Sequence, residues 1–229
     1  MKKVFFFMLL CMSVSPVFAS PSFHGTHMPD KKEWHVGYES TLIVKRDLES
    51  DFGRFRSTMY LVDFSWGIFE RICVDWSLGM GNAKLNPYNM NELDYDDGFA
   101  GRYGFRIRVI DEENNPFKLV IGFQHYCVHP AVQMINGVKR KVILDDWQGS
   151  VVGSYDVTDK FSPYAGIAFS EGDVIEWYGD DRKRRQSENS EAFGLILGLN
   201  YFLDQNWSLN LEGKFFDEKA VSFGFMYAL

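Results

Sequence analysis

Cysteine is scarce, with three residues in 229, too few for a disulfide-built scaffold. Proline is nearly as rare, at seven. Beyond residue 20 there is no run of about 18 apolar residues, so no transmembrane helix is encoded. An excess of positive charge is missing too. Lys and Arg number 24 against 31 Asp and Glu, a net charge of −7, which argues against a nucleic-acid binder held by a basic field. The 20 glycines follow no three-residue period, which excludes collagen. What is abundant is aromatic: 21 Phe, 11 Tyr and 6 Trp make 17% of the chain, a load that excludes intrinsic disorder. The length suits one ordinary domain or two small ones.

The chain starts MKKVFFFMLLCMSVSPVFAS. Lys2 and Lys3 precede an apolar core from Val4 to Met12 that is too short to span a bilayer permanently. Val17 and Ala19 place small residues at the −3 and −1 positions of a cleavage site. Residues 1–19 therefore read as a signal peptide cut after Ala19, in preference to a retained anchor. Cys11 follows Leu10 inside the apolar core, which speaks against a lipoprotein acylation site, and only Cys73 and Cys127 survive cleavage. An exported chain without an anchoring helix is either soluble or a barrel in an outer membrane.

The remainder alternates with period two, the signature of strands. Along 98–110, Phe99, Gly101, Tyr103, Phe105, Ile107 and Val109 face one way, and Ala100, Arg102, Gly104, Arg106 and Arg108 the other. Ile72, Val74, Trp76, Leu78 and Met80 repeat the design, as do Trp207, Leu209, Leu211 and Phe215. A soluble sandwich also alternates, so three details decide. The runs are long against the roughly 5–6 residues of soluble strands, the polar face is rich in Gly and mixed charge, and connections run short, then long.

This predicts an all-β fold, an antiparallel up-and-down transmembrane barrel of about ten strands, with eight as the alternative. The strands fall near 33–45, 54–65, 70–82, 98–110, 116–127, 141–155, 161–170, 191–203, 206–216 and 219–229. Short periplasmic turns are expected at Ser65–Phe69, Asp111–Asn115, Asp156–Lys160 and Leu203–Gln205, and extracellular loops around 46–53, 83–97, 128–140, 171–190 and 217–218. Residues 20–32 form a short periplasmic N-terminal segment and 33–229 the barrel. Trp34, Trp66, Tyr155, Phe161, Tyr201 and Trp207 fall near the periplasmic ends, where amphipathic rings meet headgroups.

With this leader, these strands and the closing segment Val221-Ser-Phe-Gly-Phe-Met-Tyr-Ala-Leu229, the chain resembles the small outer-membrane β-barrels of Gram-negative bacteria, the OmpA and opacity-type group. The strand–turn–strand from Tyr155 to Ser170 looks similar to that family's pattern. The resemblance implies residence in the bacterial outer membrane among its lipids and lipopolysaccharide. It also implies delivery by periplasmic chaperones and the barrel-assembly machinery, with Phe223, Phe225, Tyr227 and Leu229 as the assembly signal. The family usually closes on Phe, where this chain has Leu229. Activity does not follow from the likeness, because function in such proteins lives in loops and lumen.

Glu39, Asp75, Arg102, Arg106, Arg108, Glu212 and Lys214 are predicted to point inward. Charges in a small lumen must pair or stay wet, and a filling network of ion pairs is favoured over a narrow anion passage along Arg106 and Arg108. Lys139, Arg140 and Lys141, with Arg182, Lys183, Arg184 and Arg185, form basic runs that could hold lipopolysaccharide phosphates, against the alternative of solvated loops. The acidic stretch Glu92, Asp94, Asp96 and Asp97 misses calcium-loop spacing by one residue. His125, facing lipid, and His129, before Pro130, lie near the outer rim, but no Ser or acid completes a nucleophile–base pair in sequence. Asp145 and Asp146 are adjacent and must point to opposite faces. No enzyme, cofactor, metal site or nucleic-acid partner is expected, and a surface ligand is left open. The favoured role is structural or adhesin-like through the outer loops. A narrow channel and a lipid-modifying enzyme are the alternatives. Cys73 low in the lumen and Cys127 high on the fifth strand are expected as free thiols.

Overall fold

The computed structural model describes residues 25–112, 115–179 and 183–229; the leader and its cleavage site lie outside them. The strands are β1 (Trp34–Asp47), β2 (Arg54–Phe69), β3 (Ile72–Asn86), β4 (Leu93–Ile110), β5 (Phe117–His129), β6 (Gln133–Ile135), β7 (Val138–Tyr155), β8 (Phe161–Tyr178), β9 (Lys183–Glu188), β10 (Phe193–Phe202), β11 (Trp207–Phe216) and β12 (Lys219–Ala228). Ten of them, all except the short β6 and β9, close into one antiparallel barrel. Closure is made by β1 on β12, from His35 opposite Ala228 to Lys45 opposite Lys219. Every backbone group then finds a neighbour and no sheet edge is left in the wall, the condition for crossing hydrocarbon with strands. The expected ten strands are all present.

Alternation sorts the wall as the sequence predicts. Leu42, Tyr60, Val62, Leu78, Phe105, Ile121, Val151, Leu197, Leu211 and Phe223 are exposed on the outside. In water so large an apolar surface would drive association; a bilayer covers it. Trp34 stacks on Trp66 at 5.4 Å, and Trp207 meets Tyr227 at 4.8 Å with the rings tilted, at the lower border of this band.

The wall is uneven in height. β10, β11 and β12 have 10 residues each, whereas β4, β7 and β8 have 18. The tall strands continue above the apolar band. There β9 pairs with the upper half of β8, from Asp173 opposite Glu188 to Tyr178 opposite Lys183. β9 then reaches the end of β1 directly, through Glu49 N–H donating to the Glu188 carbonyl and Ser190 N–H to the Asp47 carbonyl. Among the described residues, the perimeter thus narrows from ten strands to an upper storey of β1, β2, β3, β4, β6, β7, β8 and β9. Asn189 makes the transition: its side chain accepts from Gly172 N–H at 2.8 Å and donates to Ser170.

Three expectations need correction. The segments 83–97 and 171–190 are not mainly loops: β3, β4, β8 and β9 run through them, because their polar residues alternate with buried Leu85, Leu93, Tyr95 and Val174. The turn at Ser65–Phe69 does not exist, and β2 continues to Phe69 with the connection at Glu70–Arg71. Gly67 suggests a turn but does something else. A Cβ there would collide with the Asp30 carbonyl, and Gly67 exchanges backbone hydrogen bonds with Lys32 and Glu33. Finally, Asp217 and Glu218 are not an exposed outer loop. They are 3% and 2% exposed, tucked under the upper storey.

Candidate functional site

The lumen is filled in three tiers. In the lowest, residues 25–32 enter the barrel mouth. Thr26 Oγ1 lies 2.6 Å from Ser154 Oγ, Arg106 donates to the His27 carbonyl at 2.7 Å, and the His27 ring stacks 4.9 Å from His35. The predicted periplasmic segment, where described, is therefore a plug. Arg108 sits at this rim and not in a passage wall, pairing with Asp30 at 2.7 Å and Asp111 at 3.3 Å.

The middle tier is ionic. Arg102 forks onto Glu39 at 3.2 Å through both terminal nitrogens and reaches Asp63 at 2.9 Å. Arg106 binds Asp75 at 2.8 and 2.9 Å. Ser65, Ser77 and Thr41 donate to Asp75, Asp63 and Glu39. Such forks are the strong form of a charge-assisted bond, and they satisfy charges that would otherwise be costly inside. Glu212 accepts from Tyr164 at 2.8 Å, and Lys214 binds Glu218 at 2.8 Å. All seven predicted lumen charges lie on the inner wall or its rim. Asp63, Tyr164, Gln124 and Gln148 complete the tier, and their inward parity was already readable.

The storey junction holds a cluster that sequence reading missed. Arg46 is fully buried and contacts Asp146, Glu218 at 2.8 Å and the Tyr126 hydroxyl at 2.7 Å. It points inward because β1 is irregular between Ile43 and Arg46. A bulge there shifts the parity by one, and Val44 and Lys45 both face out. Gly172 makes room, since a Cβ would strike the Arg46 guanidinium. Beside it, burial pushes the Asp217 carboxyl up to about 6, against the pull of Lys214 and Arg46. Burial would raise Glu218 as well, but Lys214 and Arg46 together hold it below the usual carboxylate range.

Above the junction Phe52, Phe55, Leu85, Tyr95, Leu144 and Val174 pack as one apolar core, with buried Glu176 beside the Tyr95 hydroxyl. The cavity at the barrel centre, between Arg102, Tyr126 and Glu218, measures about 20 Å³, room for about one water.

The predicted lipopolysaccharide residues do not converge. Arg140 turns inward onto Glu176 at 2.5 Å, and Arg185 pairs with Asp51 at 2.8 Å over the Phe52 ring. Lys141 lies outside, 5.3 Å over Trp177, and Lys139 and Arg184 are exposed. Arg182 and the Lys183 side chain lie outside what is described. The acidic stretch is spread out, with Glu92 ahead of β4 on Arg56, Asp94 on Lys84 at 2.6 Å and Asp96 held by Gln133. No metal-holding group of three ligands occurs among the described residues.

On the outer face, His125 Nε2 lies 2.5 Å from Asp145 Oδ1, with the ring 4.3 Å from Trp147 and 5.0 Å from Tyr103. Cys127 stands directly opposite Asp145 in the register. As expected, Asp145 faces out and Asp146 in. Cys73 is buried, and both described cysteines are free. On β12, Phe223, Phe225, Tyr227 and Leu229 share the outer face, Phe223 being 49% and Leu229 72% exposed.

The chain is a closed antiparallel β-barrel of ten strands. No family model matches it and no curated protein does. Among solved structures it overlaps Ail, the attachment invasion locus protein of Yersinia pestis, at 10% identity and a TM-score of 0.45, covering 88% of this chain and 100% of Ail. OprG from Pseudomonas aeruginosa gives 9% identity and a TM-score of 0.44, covering 88% and 98%. The NalP autotransporter translocator domain of Neisseria meningitidis gives 10% and 0.46, covering 86% and 89%. Superpositions this loose carry nothing about role, and the fold rests on the strand pairing itself.

Proposed function

We propose that the protein is an outer-membrane barrel that conducts nothing and acts through its outer storey, in a structural or surface-interaction, adhesin-like role. One observation carries this reading: above an open periplasmic cavity of about 1030 Å³ bordered by His27, Lys118 and Phe202, the interior is filled up to the crown. The N-terminal segment, the Arg102 and Arg106 network, the Arg46 cluster and the Phe52–Phe55 core follow one another along the axis. A channel for small solutes needs a continuous wet path, and a central cavity of about 20 Å³ does not supply one. The tall β3, β4, β7 and β8, with the short β9, then present the surface available to a partner. Outer-membrane lipids, lipopolysaccharide and the assembly machinery are the partners this placement implies. Planar-bilayer recording tests the reading. The refolded protein, showing heat-modifiable migration on a denaturing gel, should give no unitary steps; stable open steps would refute it.

A second reading, a lipid-modifying enzyme, has one observation in its favour, the outward His125–Asp145 pair beside Cys127 at the upper border of the apolar band. A His oriented by a carboxylate is half of a nucleophile–base arrangement. If it acts, His125→Ala should abolish a change in lipid composition that follows expression of the wild type. Identical lipid profiles with and without the protein would remove this reading.

A further inference from the structure

The upper border of the apolar band is split by charge. On β4, β7 and β8 its outward residues are Asp94, Asp97, Asp145, Glu171 and Asp173. On β12, β1, β2 and β3 they are Lys219, Lys45, Arg56 and Lys84, directly above Val221, Val44, Thr58 and Asn82. The register sets these cations against each other. Lys45 stands opposite Lys219, and Arg56 opposite Lys84. Like charges directly opposite on neighbouring strands destabilise a sheet unless something neutralises them. Asp47, Glu92 and Asp94 each take one cation, while Lys219 has no ion-pair partner among the described residues. Lys45, Arg56 and Lys84 stay open to the surroundings, their side chains 33%, 46% and 38% exposed.

Beneath Arg56 and Lys84 the β1 bulge opens a crevice of about 240 Å³, floored by Leu42, Ile43, Val44 and Thr58. An apolar slot under two cations, at the height where hydrocarbon gives way to headgroups, fits a lipid that carries both a chain and negative charge. The four cations lie on four adjacent strands, which at about 4.8 Å between neighbours span about 14 Å. One phosphate can meet one like-charge pair, whereas two phosphates on a rigid sugar core can meet both.

We propose that the β12–β1–β2–β3 wall binds a bis-phosphorylated, acylated glycolipid of the outer leaflet, a lipid A. One acyl chain lies in the Leu42–Val44 crevice, and the two phosphates sit on the Lys45–Lys219 and Arg56–Lys84 pairs. The wall opposite, where the basic runs 139–141 and 183–185 lie, carries its acids at the same height and is not the phosphate site. This inference rests on the outer-membrane reading above.

The test uses the full chain, refolded in zwitterionic detergent, with native mass spectrometry counting retained lipid. The probes are bis-phosphorylated lipid A, monophosphorylated lipid A and phosphatidylglycerol. Wild type should hold the bis-phosphorylated form about tenfold more tightly than either other probe, the worth of one charge-assisted contact. Lys45→Ala/Lys219→Ala and Arg56→Ala/Lys84→Ala should each lose that preference, while Lys139→Ala/Lys141→Ala should keep it. Arg56 and Lys219 are exposed and Lys45 and Lys84 half-buried on the outer face, so heat-modifiable migration should survive each change. Equal retention of phosphatidylglycerol, or wild-type retention in both wall variants, would overturn the proposal. A barrel that conducts would refute the closed-barrel reading and leave the lipid result standing.

Discussion

Removing Arg46 should do more damage than removing any exposed charge. Arg46→Met keeps an unbranched apolar stem and takes away the guanidinium. Asp146 and Glu218, both fully buried, would then share only Lys214 as a cation, and the Tyr126 hydroxyl would lose its donor. Breaking a buried pair from one side costs about 3–5 kcal/mol, because the orphaned charge remains inside. With a urea slope of about 1–3 kcal/mol per molar, a loss of 3 kcal/mol moves the unfolding midpoint down by about 1–3 M. Tryptophan fluorescence in lipid vesicles follows the transition, and the midpoint can be read with the slope checked for constancy. Replacing Arg46 together with its other partners, by Arg46→Met/Asp146→Asn/Tyr126→Phe, should recover at least half of the loss, since one cation and one anion leave together and Lys214 stays paired with Glu218. A single variant within about 0.5 M of wild type, or a triple variant no better than the single, would refute the claim that Arg46 neutralises the storey junction.

The Asp217–Glu218 turn should make stability depend on pH in two directions. Asp217 binds its proton more tightly when folded, so its contribution is complete below the ordinary value of 3.8 and is lost as pH rises through about 6. Glu218 is held below its ordinary 4.5, so its contribution is complete above that value and is lost as pH falls below it. Asp217→Asn should abolish the decline between pH 5 and 7 and leave the acid side intact; an unchanged slope above pH 5 would be the wrong outcome. Gly67→Val should drive residues 25–32 out of the lower mouth, which trypsin would report by cleavage at Lys31 and Lys32 in a barrel that still migrates as folded. Resistance equal to wild type would show that the close approach of Asp30 to Gly67 is not needed. Thiol labelling without reductant should add one group at most to the folded protein, at Cys127, and two after boiling, given a fully buried Cys73; two labels on the folded form would contradict that burial.

The wall was legible because its rule is local. Each strand residue faces in or out by parity, so Glu39, Asp75, Arg102, Arg106, Glu212 and Lys214 could be assigned to the interior one strand at a time. Arg46 could not, since its direction depends on a bulge that adds one residue to β1. A trace of that bulge lies in Leu42-Ile43-Val44, three apolar residues where alternation asks for a polar one. Strand ends were lost for a different reason. In β3, β4 and β8 the outward residues change from apolar to charged once they rise above the band, and polar residues with Gly or Asn look like loop. Their inward partners, Leu85, Tyr95 and Val174, continue the period. Glu218 was misplaced because its burial depends on β9 crossing above it, a contact with no signature near residue 218.

The change of strand number explains why the costly chemistry sits where it does. Ten strands enclose a wider lumen than eight, and the wider part is filled by long forked side chains with their carboxylates. The narrower storey is filled by Phe, Leu and Val as in a water-soluble protein. Between the two, β10, β11 and β12 stop, and the carbonyls and carboxylates of their upper turn fall inside the molecule. Asn189 stitches the departing backbone, and Arg46 neutralises the turn from below. A pore would need this joint to be loose and wet. It is closed by a fully buried arginine under an aromatic core, while outside the wall the charge-split rim gives the barrel two chemically different faces.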